Sequence, residues 1–384
     1  MQSTHPQLSL IAHFQNLPDP RVNRTKDHDL IDILVIAICT LLCAGESFND
    51  MEDFGHAKHD WFKTFLRLPN GIPSHDTFNR LFAALDPQAF LDCFRRWTQS
   101  LRAAIPQEIV ALDGKALRRA LNGDQSVKYM VSAWAEDNGL VLGQLKVAAK
   151  SNEITALPEL LRALELAGCI VTVDAMGTQK KIAREIIEAD ADYGLALKGN
   201  HETVREEVKS FLDATVAEKN AQPVRPSPAA ATLAVLETVE KDHGRIETRR
   251  YYQSVALDWF ADRPKWEGLK SVGLVEAIRE IGATRTVERR YYLSSLALDV
   301  ATFARAVRGH WGVENKLHWV LDVQMREDQS RARAGYAAEN LATLRRLALN
   351  LLRREKTKRR GIRGKQRNAS WDHAYLLRLL GAPI

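Results

Sequence analysis

The sequence has little cysteine: four residues in 384, at Cys39, Cys43, Cys93 and Cys169. No two form a C-x-x-C pair, and three lie inside apolar runs. A disulfide scaffold and a cysteine-built zinc site are thereby excluded, and buried thiols in a reducing compartment are expected. Long apolar runs are also missing. The most apolar, "LIDILVIAICTLLCAG" at 30–45, has 16 residues and contains Asp32. A bilayer span needs about 20, so the run is expected as a buried helix. No signal peptide and no solenoid-period repeat is seen, which points to a cytoplasmic protein without a membrane partner. Hydrophobic residues make up 45% and charged residues 27%, an ordinary globular balance that supports a large core.

Charge of one sign is unevenly placed. Residues 345–367 hold eleven Lys/Arg and one acid, a net of +10, which leaves −4 for the rest of a chain of net +6. A basic block on a mildly acidic body predicts a polyanionic partner.

The chain changes texture along its length. Residues 1–103 read as all-helical. Ser74 is a plausible N-cap of "SHDTFNRLFAALD", whose Phe78, Leu81, Phe82 and Leu85 fall at i, i+3, i+4, i+7. With the following "PQAFLDCFRRWTQSLRAA" it makes a helix, short turn and helix, compatible with DNA reading and equally with any helical bundle. Strand-like runs then appear at 109–113, 128–135 and 139–147, the last two joined by an "EDNG" turn. A helix with Pro158 near its start, a strand at 170–174, the helix "TQKKIAREIIEA" and a strand at 193–198 follow. The order β-β-β-α-β-α-β is that of a ribonuclease H-like core. Strand-like runs recur through 200–295, around the linker-like "AQPVRPSPAAAT", and helix returns from 299.

The fold expected is therefore α/β. A ribonuclease H-like mixed-sheet catalytic core with a β-rich insertion follows an all-helical N-terminal domain. The boundaries are 1–103 for the helical domain, 104–199 for the first part of the core and 200–295 for the insertion. Residues 296–352 complete the core, and 353–384 form a basic C-terminal segment.

Two of the strands end on a carboxylate, at "IVALD" (Asp113) and "IVTVD" (Asp174). In such a core these positions are neighbours at the carboxyl end of the parallel strands, where ligands bind. Adjacent carboxylates repel unless a cation lies between them, and a hard divalent ion such as Mg²⁺ meets that need. Two ions about 4 Å apart can drive phosphoryl transfer. A third carboxylate is expected from the helical segment 308–333. Glu314 is the best candidate, with Asp322, Glu327 and Asp328 as rivals. His310, Glu314 and His318 are spaced by four, so on an α-helix they would share a face and could form a transition-metal site.

Seven stretches carry a resemblance over nearly the whole chain: "ALDGKALRRA" (111–120), "KSNEITALPELL" (150–161), "VTVDAMGTQKKIA" (171–183), "ALKGNH" (196–201), "HGRIETRRYY" (243–252), "HWGVENKLHWVLDVQMREDQSR" (310–331) and "ENLATLRRLALNLL" (339–352). The sequence resembles the DDE transposases of bacterial insertion sequences, in their H-repeat-associated branch. The resemblance implies Asp113, Asp174 and Glu314 as an acidic triad holding two Mg²⁺ ions, with Mn²⁺ as a substitute. It implies nicking of double-stranded DNA at the element's terminal repeats and attack of the freed 3′-hydroxyl on target DNA, by at least a homodimer. Related transposases often carry a Tyr and an Arg before the helix Glu and a Lys seven residues after it. Here those positions are Val307, His310 and Leu321. His310, Arg308, Lys316 and Arg326 are the candidates to grip phosphates instead. Lys115, Lys198 and the basic block, Arg359 and Arg360 included, are expected on DNA backbone phosphates. Trp311 and Trp319 are candidates for stacking on an extruded base or for core packing. Two competing readings are a catalytically silent DNA-binding descendant and a structure-specific nuclease that joins no strands.

Overall fold

The computed structural model describes residues 9–119, 128–147, 153–242 and 244–381. The opening of the 150–161 motif lies outside the described residues. The chain divides into two compact units, Met1–Ala104 with Gly114–Lys150 and Glu314–Ile384, and Ile105–Asp113 with Ser151–Val313.

The first unit begins with six helices: α1 (Ser9–Phe14), α2 (Leu30–Leu42), α3 (Phe48–Ala57), α4 (His59–Phe62), α5 (His75–Ala84) and α6 (Pro87–Leu101). The apolar run is α2, buried at nearly every position. Ser74 caps α5 by accepting from the Thr77 amide, and Phe78, Leu81, Phe82 and Leu85 are all fully buried. Strand β1 (Ile109–Leu117) enters this unit at Gly114, beside the hairpin β2 (Lys128–Ala135) and β3 (Leu140–Val147), in the order β3-β2-β1. The hairpin turn places Gly139 at φ +67, open to glycine at no steric cost.

The second unit continues from β1 through α7 (Glu153–Arg162), β4 (Ile170–Val173), α8 (Lys180–Glu188), β5 (Asp192–Leu197), α9 (Glu202–Asn220), α10 (Pro228–Thr232), β6 (Ala234–Asp242), β7 (Arg245–Ser254), β8 (Ser271–Ile281), β9 (Thr284–Ser294) and α11 (Val300–Gly312). Its sheet order is β1-β4-β5-β9-β8-β7-β6. β1, β4 and β5 run parallel, β9 is antiparallel to β5, and the remaining strands form an antiparallel meander.

Three expectations need correction here. Pro158 stands inside α7 rather than at its start. The stretch after Lys198 opens on a 19-residue helix, α9, whose Val208, Leu212 and Val216 are buried. The linker-like "AQPVRPSPAAAT" contains the short helix α10, capped by Ser227, which accepts from the Ala230 amide. Two glycines let α11 pack closely. A Cβ on Gly273 would lie 2.2 Å from the Phe303 ring, and one on Gly309 would lie 2.8 Å from Ile109 Cδ1.

Back in the first unit, α12 (Ala337–Arg354) lies against α2, α5, α6 and β3, and α13 (Ile362–Trp371) and α14 (His373–Leu379) follow. The leucine stripe of α12 is buried, and so are its polar residues from Glu339 to Asn350. Asn340 donates to the carbonyls of Phe82 (2.8 Å) and Leu85 (2.9 Å), satisfying the open end of α5. Asn350 accepts from the Val141 amide (2.9 Å) and donates to its carbonyl (3.0 Å), standing in for a missing neighbour of β3.

Candidate active site

The pairing of β1 with β4 runs Ile109↔Ile170, Val110↔Val171, Ala111↔Thr172, Leu112↔Val173. The next residues along the two strands are Asp113 and Asp174. Parallel neighbours lie about 4.8 Å apart and share a face at each level. β4 stops at Val173, whereas β1 continues to Leu117, so Asp113 stands within its strand rather than at its end. Asp174 begins a turn, and its Oδ1 accepts from the amides of Met176 (3.0 Å) and Gly177 (3.3 Å). A Cβ at Gly177 would lie 2.2 Å from Val173 Cγ1, so this turn admits only glycine there. The Thr178 hydroxyl donates to the Ala196 carbonyl (2.7 Å) and ties the turn to β5. Lys198, one residue past β5, is exposed.

His310 reaches the same strand from α11. Its Nδ1 lies 3.0 Å from Thr172 Oγ1, two residues before Asp174 and so on the same strand face. Burial pushes the imidazole down to about 4; Asp174 opposes this, and Lys198 and Arg290 add to it. His310 is therefore neutral at physiological pH, and the expected cationic grip on phosphate is corrected. Strand alternation would have pointed to Thr172, which the motif reading passed over.

The second unit thus brings together Asp113, Asp174, Thr172, His310 and Lys198. Glu314 belongs to the first unit. α11 ends at Gly312, and Val313–His318 and Val320–Gln324 are π-helical. The four-residue spacing of an α-helix does not continue through them. Glu314 is exposed, with its Oε2 3.9 Å from Nδ1 of the buried His318.

Lys115 is the largest correction among the DNA contacts. It is 7% exposed, with Nζ 2.6 Å from Asp322, 3.0 Å from Asp328 and 3.3 Å from Glu327. Burial alone would lower its pKa, but the three carboxylates raise it. Lys115 is thereby withheld from phosphates, and the three rivals of Glu314 already share its cation. Glu327 also meets Arg346 Nη1 at 2.7 Å. The basic block divides likewise. Arg345, Arg346 and Lys365 are buried, and Arg353 lies over the Trp134 ring at 4.8 Å. Arg354, Lys356, Lys358, Arg359, Arg360, Arg363 and Arg367 are exposed. Lys316 pairs with Glu136, and Arg326 Nε lies 3.1 Å from Glu46. Arg308 pairs with Glu240 at 3.1 Å. Trp311 and Trp319 are 37% and 53% exposed, and Arg290 covers the Trp311 ring at 4.5 Å.

Comparison with known families adds the deciding observation. The family described as "Transposase DDE domain" matches residues 105–351, and the one described as "DDE_Tnp_1-associated" matches residues 11–98. The chain belongs to the DDE transposases. "Putative transposase YncI" of Escherichia coli O157:H7 is 38% identical over 380 residues, covering 97% of this chain and 95% of that protein. "H repeat-associated putative transposase YhhI" of Escherichia coli (strain K12) is 37% identical over 378 residues, 97% of each chain. These relatives set this DDE transposase in the H-repeat branch of insertion-sequence elements, as an enzyme that cleaves and transfers DNA strands. A piggyBac transposase synaptic complex with hairpin DNA aligns over 98% of this chain at 13% identity, with a TM-score of 0.42, too low to carry an argument. Among the described residues, no helix is long and apolar enough to cross a membrane.

Proposed function

We propose that this transposase cuts the ends of its insertion element with two Mg²⁺ ions held by Asp113, Asp174 and Glu314, on a ribonuclease H-like core. The observation that carries the reading is the register of β1 with β4, whose last pair, Leu112↔Val173, is followed at once by Asp113 and Asp174. Within the second unit, the parallel order β1-β4-β5 with antiparallel β9 beside it supports the core assignment. The four strands β6–β9, with α9, are read as an insertion within the catalytic domain, and the helices before β1 as the associated domain.

The donor set fits the ions. Two carboxylates at one level of a parallel pair repel and call for a hard divalent cation, and a third carboxylate completes an all-oxygen set. Mn²⁺ has the same preference and would substitute. Bound ions supply an activated oxygen nucleophile and stabilise the leaving oxygen of an in-line displacement.

The chain's own residues do the rest. The backbone amides of Met176 and Gly177 fix the Asp174 carboxylate. Lys198 contacts a backbone phosphate at the same edge. Neutral His310 holds Thr172 without adding charge beside the aspartates. The reaction is hydrolytic nicking at each terminal repeat, then attack of the freed 3′-hydroxyl on target DNA. Two ends must be joined, so the working form is a homodimer. Arg359 and Arg360, with the other exposed residues of their block, contact duplex phosphates nonspecifically.

The test is nicking of a supercoiled plasmid carrying the element's ends, by wild type, Asp174→Asn and Glu314→Gln, with Mg²⁺ and with EDTA. Metal-dependent nicking by wild type alone is expected. Equal nicking by Glu314→Gln would remove Glu314 from the triad. DNA binding without nicks in either Mg²⁺ or Mn²⁺ would favour the catalytically silent reading. Nicks without strand-transfer products would favour the nuclease.

A further inference from the structure

We infer that the cleft walled by Arg326 and residues 329–334 binds a nucleotide of an unpaired DNA strand, with Arg331 and Arg333 on its phosphates. The inference rests on the DNA-cutting reading above and adds a subsite that this reading does not assign. The cleft lies wholly within the first unit and has a volume of about 450 Å³. Phe48, Asn49, Asn79, Gln329, Arg331 and Arg333 line it.

The wall is held in place although most of it is neither helix nor strand. Arg326 adopts φ 51, a left-handed conformation uncommon for a non-glycine residue, with its guanidinium on Glu46. Glu327 is buried against Arg346 and Lys115. At the far end the Tyr336 amide donates to the Ala83 carbonyl (3.0 Å). Gly335, at φ +46, passes so close that a Cβ would lie 2.3 Å from that same oxygen. Between these fixed points stand Arg331 and Arg333, both exposed. Arg333 Nε donates to the Arg119 carbonyl (3.1 Å), which leaves its other N–H groups for a ligand. Arg331 has no hydrogen bond or ion pair among the described residues.

The lining favours an anion carrying a base. Its one acid, Glu46, is already engaged by Arg326. Asn49, Asn79 and Gln329 offer amide donors and acceptors of the kind that read a base edge. Phe48, packed on Phe82 at 5.9 Å, adds an aromatic surface. The volume lies in the range of single small ligands, so a nucleotide can enter and a duplex cannot. Cationic tracks with aromatic contacts are how single strands are held.

The experiment measures binding by fluorescence anisotropy in EDTA. The probes are a blunt duplex and the same duplex with a single-stranded oligothymidine tail. Wild type should bind the tailed probe about tenfold more tightly. The double variant Arg331→Gln/Arg333→Gln should lose that preference, keep wild-type affinity for the blunt duplex and keep its melting temperature. Its salt slope on the tailed probe should fall by about 1.4, at about 0.7 per single-strand phosphate contact. Arg331→Lys/Arg333→Lys should keep the slope. A double variant that retains the preference, or that loses tailed and blunt binding equally while still folded, overturns the subsite. Wild type that binds neither probe overturns the DNA reading itself, and the subsite with it.

Discussion

Two groups of carboxylates meet opposite fates in this chain. Asp322, Glu327 and Asp328 close around Lys115, and Arg346 completes the neutralisation of Glu327. Asp113 and Asp174 follow directly on the last pair of the β1–β4 register, and the described hydrogen bonds to the Asp174 carboxylate are from backbone amides. The first group is a structural device, since its counter-charge is built into the fold. The second stands where a bound ion can add positive charge. Candidacy as a metal ligand depends on whether the protein already supplies the cation, and three acids of one motif region fail that criterion.

The largest effect should come from the second group. Asp174→Asn keeps the acceptor oxygen of the turn but weakens ion binding. We expect plasmid nicking to fall by about 10³-fold, since the ions contribute several kcal/mol and each 1.36 kcal/mol is tenfold. The unfolding midpoint should stay or rise, because a repulsion is relieved. A variant that lost stability instead would break the contrast, by making Asp174 structural.

The reverse holds for the first group. Lys115→Met removes the cation that three carboxylates share, and urea unfolding should show a loss of about 3–5 kcal/mol. A stable Lys115→Met protein with altered DNA affinity would restore Lys115 as a phosphate contact.

Acid titration sharpens the same point. Burial alone would raise the Glu327 carboxyl, but Arg346, Lys115 and Arg345 bring it down to about 2. Its folded pKa lies below the unfolded value, so its contribution is present above about pH 4.5 and is lost as pH falls toward about 2. Glu327→Gln should flatten the stability profile in that window, read by urea midpoints across pH. An unchanged slope would show that Glu327 is not held ionised.

The smallest effect concerns the exposed cations. Arg359→Ala with Arg360→Ala should lower the salt slope of duplex binding by about 1.8, at about 0.9 per contact, without shifting the melting temperature. An unchanged slope would take this stretch off the DNA.

Much of the architecture was legible in the sequence because short-range patterns carry it. The four-residue apolar stripe of α5, its Ser74 cap and the strands of the sheet follow from periodicity and capping. The two aspartates were legible because each ends an apolar run. α9 was missed although Val204, Val208, Phe211, Leu212 and Val216 recur at helical spacing, because charged residues outnumber them across the 19-residue stretch. The π-helical turn carrying Glu314 leaves no periodic mark in the residues, so an α-helix was the natural expectation.

The basic block shows where local reading stops. Sequence alone determined that eleven cations crowd residues 345–367. It likewise determined that two aspartates close strand-like runs and that the chain is built like a transposase. Only tertiary structure decided which charges are spent inside. Arg345, Arg346 and Lys365 are buried among carboxylates and carbonyls, while Arg359 and Arg360 stay in solvent. A charge's availability depends on neighbours hundreds of residues away in sequence. Lys115 and Asp328 meet across 213 positions, and no local pattern encodes a pairing at that separation.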